Sequence, residues 1–219
     1  MALTAESFYK GMTTTEHLRE ITLNREPILK IFEAVEVAPE AKAFFDRLPQ
    51  PLRLAIFTEE WCADCVTTTP TLQRLSESTD GLEARVFKRD QHRELTDSYL
   101  PSNRHGTLPV FVVFDAKMQE VARFIETARE LVPMLQAMEQ EVRHTLAAPA
   151  EAGKPFREME EVSRTAVRRG RYAYRVARAH EWGHVVIQAF TGVVKAGLAL
   201  PAAQRPAIDG TEWPPSQPQ

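Results

Sequence analysis

The chain has 219 residues, of which 43% are hydrophobic and 26% are charged, and its formal net charge at pH 7 is −3. This composition is ordinary for a globular protein, and so small a net charge argues against a polyanionic partner for the chain as a whole. The first residues lack the basic and apolar regions of a secretory signal, and both cysteines lie in one motif, which suits a reducing compartment. We therefore expect a cytoplasmic protein.

Helical patterns predominate in the first 50 residues, which we expect to form an N-terminal helical extension. Thr14 or Thr15 is placed to cap a helix that begins at Glu16. Prolines in the first turn of a helix and just beyond its end favour two more helices. These predicted helices run from Pro27 to Val35 and from Pro39 to Leu48.

Residues 51–146 alternate between strand patterns and helix patterns, and we expect them to form one domain. The predicted elements are a strand at 52–57, a helix at 66–78, a strand at 82–88, a helix at 91–100, strands at 110–114 and 121–125, and a helix at 128–146. This order fits an α/β fold in which a mixed sheet has helices on both faces.

Both cysteines of the chain lie in the segment Trp61-Cys62-Ala63-Asp64-Cys65. The segment joins a predicted strand to a predicted helix, and the unpaired N–H groups and dipole of a helix N-terminus favour a thiolate. Cys62 is the expected nucleophile, and Cys65, one helical turn later on the same face, is placed to resolve a mixed disulfide. The alternative is a structural disulfide, although a bridge that closes so short a loop would constrain the unfolded chain very little.

The residues around the cysteines resemble those of the thioredoxin superfamily. The matching features are Glu60-Trp61-Cys-x-x-Cys, Pro70, and Thr107-Leu108-Pro109 ahead of the strand at 110–114. Within the superfamily, the chain is similar to proteins with a Trp-Cys-Pro-Asp-Cys-Val motif and to a bacterial group with Glu-x-Trp-Cys-x-Asp at the active site. The resemblance covers residues 15–146 and implies a thioredoxin-like sheet flanked by helices.

The resemblance also implies how such a site works. Its chemistry would need no cofactor beyond a redox-active disulfide. Pro109 matches the cis-proline that superfamily members place beside the cysteines, which would leave the backbone of Leu108 free to pair with an extended substrate. Trp61 would cover the disulfide and supply an apolar contact. The alternatives are a trans-proline that opens an edge strand and a tryptophan that belongs to the core.

Two positions depart from the superfamily pattern. Typical thioredoxins carry a buried acid where this chain has Ile56, and the lysine paired with that acid is also missing, with Val86 near its position. Proton transfer to and from Cys65 therefore needs another group, and Asp64 is the carboxylate nearest to it in sequence. Asp64 is alternatively no more than a favourable anion in the first turn of the helix.

Beyond the domain, residues 147–156 are predicted to be a linker, residues 157–200 a helical arm, and residues 201–219 a Pro-rich disordered tail. Arginines recur along the arm at helical spacing and form one stripe, opposite a side that includes Val162 and Ala166. The stripe consists of Arg164, Arg168, Arg171, Arg175 and Arg178. It is either a docking face for an acidic protein, a nucleic acid or an anionic membrane, or a face that is solvated or packed on its own domain.

The arm also contains His180-Glu181-Trp182-Gly183-His184, which matches the His-Glu-x-x-His pattern of zinc peptidases. No clear third ligand follows, since Asp209 and Glu212 lie in the Pro-rich end, and the remaining sequence is too short and too helical for a peptidase cleft. We therefore predict no metal site. The apolar run at 185–200 is too short for a membrane span.

These observations predict a bacterial-type, thioredoxin-like thiol–disulfide oxidoreductase that works in the reducing direction. Its expected partners are a disulfide-bearing protein or a small thiol as substrate, and an electron-donating reductase that restores the dithiol. The arm would add an acidic partner or self-association. The alternative is a non-enzymatic adaptor with a thioredoxin fold, in which the arm binds a partner and the cysteine pair senses the redox state.

Overall fold

A central sheet organises residues 3–211, the part of the chain that the computed structural model describes. Its strands are β1 (Leu52–Thr58), β2 (Leu82–Lys88), β3 (Val110–Phe114), β4 (Glu120–Ile125) and β5 (Ala207–Gly210). Their order in the sheet is β2-β1-β3-β4-β5. The outer pairs β1–β2 and β4–β5 are parallel, and the inner pairs β1–β3 and β3–β4 are antiparallel. The predicted mixed sheet is confirmed.

Helices flank the sheet along the whole described range. The N-terminal helices are α1 (Ala5–Phe8), α2 (Thr14–Glu20), α3 (Arg25–Ala34) and α4 (Pro39–Asp46). The central helices are α5 (Cys65–Glu77), α6 (Arg93–Ser98) and α7 (Val132–His144). The C-terminal helices are α8 (Pro149–Ala152), α9 (Glu161–Ala177) and α10 (Ala179–Ala199). Within residues 3–211, no helix has both the length and the apolar character needed to cross a bilayer.

The cap of α2 differs from the predicted one. Its N-cap is Thr13, whose hydroxyl accepts a hydrogen bond from the N–H of Glu16 at 3.2 Å. The Glu16 carboxylate in turn accepts the N–H of Thr13 at 2.8 Å. This reciprocal capping box satisfies two N–H groups at once, which explains why Thr13 takes the role predicted for Thr14 or Thr15.

Successive side chains of β1 point to opposite faces of the sheet, and a separate part of the core lies on each face. Leu54 and Ile56 belong to a cluster that also contains buried residues of α3, α5, α7 and α10. Ala55 and Phe57 belong to a second cluster on the other face, which contains residues of α1 and α6. The N-terminal helices and the arm therefore share the hydrophobic core of the central sheet.

The arm is not one continuous helix. The backbone leaves helical geometry at Arg178, with φ −107° and ψ 11°, and this residue separates α9 from α10. Close packing of both helices depends on glycine. A Cβ at Gly170 would lie 2.7 Å from the side chain of Val142 in α7, and one at Gly197 would lie 2.0 Å from the carbonyl oxygen of Val121 in β4.

The predicted tail and linker are both more ordered than expected. Disorder beyond Pro201 is wrong for residues 201–211, because β5 pairs with β4 over four residues. The rest of that prediction lies outside the described residues. The linker contains α8, and Glu151 within it is buried, is paired with Lys154 and accepts the N–H of Glu160 at 2.7 Å. The linker is therefore fastened to the arm.

Candidate active site

The two cysteines lie close together in the connection between β1 and α5. Cys62 is partly exposed, whereas Cys65, the first residue of α5, is only 2% exposed, and both are free thiols. The N–H of Cys65 donates to Cys62 Sγ at 3.4 Å. Burial first, and then the neighbouring Cys62, raise the pKa of the Cys65 thiol well above its ordinary value. The site thus has one accessible sulfur and one protected sulfur.

The Leu108–Pro109 peptide borders the cysteines. Its bond is cis, as predicted, and both residues are buried. The Cys62 thiol donates to the carbonyl oxygen of Leu108, with a sulfur–oxygen distance of 3.6 Å. Among residues 3–211, the N–H of Leu108 has no hydrogen-bond partner. The backbone here has a donor available beside the accessible sulfur.

Trp61 lies at the surface of this site. The residue is 54% exposed, so the alternative of a core tryptophan is wrong. The indole N–H donates to the carboxylate of Asp90 at 3.3 Å, and the N–H of Asp90 donates to the carboxylate of Glu59 at 2.7 Å. The chain after β2 is thereby tied to the segment that precedes Cys62.

Glu60 fastens the cysteine motif to the N-terminal helices, a role that the sequence did not indicate. Its carboxylate accepts the N–H groups of Thr22 at 2.8 Å and Leu23 at 2.7 Å and pairs with Lys88 at 3.3 Å. Burial opposes ionisation of Glu60, but these hydrogen bonds outweigh it and lower its pKa. Asn24, in the left-handed conformation that asparagine tolerates, donates its side-chain N–H to the Glu60 carbonyl at 2.7 Å.

Arg175 fastens the same motif to the arm. Arg175 is only 4% exposed. Its guanidinium donates to the Thr67 hydroxyl at 2.7 Å and to the Asp64 carboxylate at 3.3 Å. It also lies over the ring of Trp182, 5.9 Å from the centroid. Asp64 occupies the N-cap position of α5 but makes no capping hydrogen bond. Its charge is balanced by a buried cation from a distant part of the chain.

The arginines of the stripe make ion pairs and hydrogen bonds with other residues of the same chain. Arg171 donates to both carboxylate oxygens of Glu139 in α7 at 2.7 Å, and Arg175 is buried as described. For these two residues, therefore, the alternative that the stripe packs against its own domain is correct. The remaining stripe arginines pair within the arm: Arg164 and Arg168 with Glu161, and Arg178 with Glu181. Val162, which the sequence placed on the side opposite the stripe, is 81% exposed, so that side is not buried at this residue.

A small cavity lies against the buried cysteine. Its volume of about 10 Å³ is close to the least that can hold one water molecule, and polar side chains form much of its wall. The lining residues are His17, Ile28, Thr58, Glu59, Glu60, Cys65, Thr69 and Pro70. His17 is 3% exposed, and its Nδ1 lies 3.1 Å from the side-chain nitrogen of Gln73. Burial lowers the pKa of His17 to about 4, so the ring is neutral at neutral pH.

The histidine pattern of the arm lies apart from these groups. His180 and His184 are exposed on α10, and the Glu36 carboxylate lies 3.8 Å from Nδ1 of His180. Within residues 3–211, no three side chains of His, Cys, Asp or Glu come together as a potential metal site.

The mixed sheet, the flanking helices and the Cys-x-x-Cys pair beside a cis-proline define a thioredoxin-like protein. A sequence model described as thioredoxin matches residues 11–142, which is more than half of the chain. The chain therefore belongs to the thioredoxin family, and the predicted resemblance to the thioredoxin superfamily and the predicted fold class are confirmed. Among curated proteins, none matches the chain in sequence.

Solved structures extend the likeness in fold. A protein of unknown function from Pseudomonas aeruginosa superposes with a TM-score of 0.59 at 14% identity, over 91% of this chain and 100% of that one. An HIV epitope scaffold gives a TM-score of 0.51 at 13% identity, over 87% of this chain and 99% of the scaffold. Both matches include more of the chain than the family model covers. At these identities the likeness shows the fold alone.

Proposed function

We propose that the protein reduces disulfides by thiol–disulfide exchange at Cys62 and Cys65. The observation that carries this proposal is the pairing of an accessible Cys62 with a buried Cys65 beside the Leu108–Pro109 peptide. In the first step the Cys62 thiolate attacks one sulfur of the substrate disulfide. A bond between Cys62 and the substrate forms, the substrate disulfide breaks, and the departing thiolate takes up a proton.

In the second step Cys65 loses its proton and attacks Cys62 Sγ, its hydrogen-bonded neighbour. The Cys62–Cys65 disulfide forms as the mixed disulfide breaks, and the second substrate thiol is released. Two electrons have then passed from the protein to the substrate. Reverse exchange with a dithiol reductant restores the starting state. The unpaired N–H of Leu108 supports alignment of an extended substrate next to Cys62.

The proton of Cys65 needs a route out of the core. The pairing of Asp64 with buried Arg175 supports a positioning role for Asp64 at the start of α5. The water-sized cavity beside Cys65 supports a route along its polar wall, where His17 and Glu60 lie. We propose that the proton leaves through this cavity, in place of the buried acid that Ile56 replaces.

The proposal is tested with cysteine variants in an insulin reduction assay, with dithiothreitol as the recycling dithiol. Cys62→Ser should abolish turnover, because no accessible nucleophile remains. Cys65→Ser, reduced beforehand and mixed with insulin in the absence of dithiothreitol, should instead accumulate a mixed disulfide at Cys62, because the attacking thiol is present and the resolving thiol is gone. Mass spectrometry of the trapped species identifies the modified residue. Full activity in Cys62→Ser would overturn the proposal.

A redox-sensing adaptor is a second candidate, favoured by the contact of Arg175 with Asp64. That contact joins the arm directly to the cysteine motif, so oxidation of the pair has a short physical route to α9. The test is amide hydrogen exchange of α9 in the reduced and the oxidised protein. Faster exchange in the oxidised form supports a sensor, whereas identical exchange in the two forms argues against it.

A further inference from the structure

A groove between α3 and α9 lies next to the cysteine motif. Its volume is about 580 Å³, and its walls come from both the N-terminal helices and the arm. Polar lining residues are Asn24, Glu26, Lys30, Arg168, Arg169 and Tyr172. Pro27 and Val176 add apolar surface to the same walls. A pocket of this size and mixed lining suits a short peptide segment.

The groove is lined by Tyr172 and by Asn24, and Asn24 connects it to the cysteine motif. The side chain of Asn24 donates to the carbonyl of Glu60 at 2.7 Å, two residues before Cys62. Burial is the main cause of the raised pKa of the Tyr172 hydroxyl, and the charge of Cys62 adds to it. The groove is therefore joined through Asn24 to the segment that carries Cys62.

The rim of the groove carries an excess of positive charge. Lys30 is paired with Glu26 at 2.6 Å, and Arg168 lies 3.4 Å from Glu161. Arg169 is exposed and has neither an ion pair nor a hydrogen bond among residues 3–211. An exposed guanidinium with no carboxylate partner attracts an anionic ligand and presents paired N–H donors to a carboxylate.

We propose that this groove recognises an acidic peptide segment of the substrate, with Asp or Glu residues flanking the disulfide that Cys62 attacks. The inference rests on the proposed disulfide reduction and adds the substrate class to it. Charge complementarity at Arg169 selects the acidic side chains, and the apolar wall of the groove contacts their aliphatic parts. Recognition of this kind is electrostatic and weakens as salt screens the rim.

The test compares two synthetic peptides that contain the same internal disulfide and differ only in carrying glutamates or lysines beside it. The reduced protein should turn over the acidic peptide with the higher kcat/KM at low ionic strength, and the difference should shrink as salt is added. Arg169→Glu should lower kcat/KM for the acidic peptide by about three- to ten-fold and leave the basic peptide no worse. Arg47→Glu makes the same change of charge at an exposed site outside the groove and should match the wild type.

The outcomes separate this inference from the proposed function. Turnover of neither peptide by the reduced protein would overturn the disulfide reductase itself. Equal turnover of both peptides, or an acidic preference that Arg169→Glu leaves intact, would overturn the proposed peptide recognition by the groove. Neither result would contradict disulfide reduction by the protein. A dimer that dissociates in Arg169→Glu, without any peptide preference, would also overturn the proposed recognition by assigning the groove to a second copy of the chain.

Discussion

Replacing Arg175 with methionine tests whether the arm holds the cysteine motif in place. The substitution keeps much of the length of the side chain but removes the charge and the hydrogen bonds to Asp64 and Thr67. Breaking a buried ion pair by removing one partner costs about 3–5 kcal/mol. The Asp64 side chain is 19% exposed, so water screens part of that loss, and we expect the free energy of unfolding to fall by about 2–4 kcal/mol.

Urea unfolding of a double-mutant cycle measures the pair itself. Asp64→Asn together with Arg175→Met should cost less than the sum of the two single changes, with a coupling energy of about 1–2 kcal/mol. Arg168→Met is the control, because the Arg168 side chain is 52% exposed and its ion pair with Glu161 should contribute no more than about 1 kcal/mol. A coupling energy near zero would refute the account of Arg175 as the link between the arm and α5.

Two further predictions concern buried parts of the fold. The pKa of His17 is about 4 in the folded protein against an ordinary 6.5, so the unfolded chain binds more protons between these values and stability falls as pH drops. Between pH 6.5 and about 5 the free energy of unfolding should fall by about 1–2 kcal/mol because of His17. In urea titrations, His17→Gln should remove this contribution to the pH dependence of stability. Gly197→Ala should destabilise by about 1–3 kcal/mol, because its Cβ would collide with the Val121 carbonyl. Gly192→Ala, with open space at the same helix, should be neutral or stabilising; equal effects of both alanines would contradict the packing of α10 on β4.

Features that depend on local sequence were the predictable ones. The cysteine motif lies between a strand and a helix because an apolar run and a helical pattern flank it along the chain. The cis bond at Pro109 was predicted from its resemblance to the superfamily, and its place beside Cys62 followed from the same comparison. These features need no knowledge of how distant segments meet.

Features that depend on distant contacts were not predictable. Arg175 lies 111 residues from Asp64, and helical spacing assigned it to a polar stripe without showing what that stripe faces. His17 comes from an extension with no recognisable link to Cys65, yet both line one cavity. The short strand β5 was hidden in a Pro-rich sequence, because its order comes from pairing with β4 and not from its own composition.

The central claim is that Cys62 and Cys65 act as a dithiol that gives two electrons to a substrate disulfide. The most direct measurement mixes the fully reduced protein with a peptide disulfide in the absence of oxygen and maps the cysteines by mass spectrometry. We predict one Cys62–Cys65 disulfide formed for each peptide disulfide reduced, with no mixed disulfide left in the unmodified protein. Reduction of the peptide without formation of that bond, or two thiols that stay reduced in excess peptide, would contradict the account.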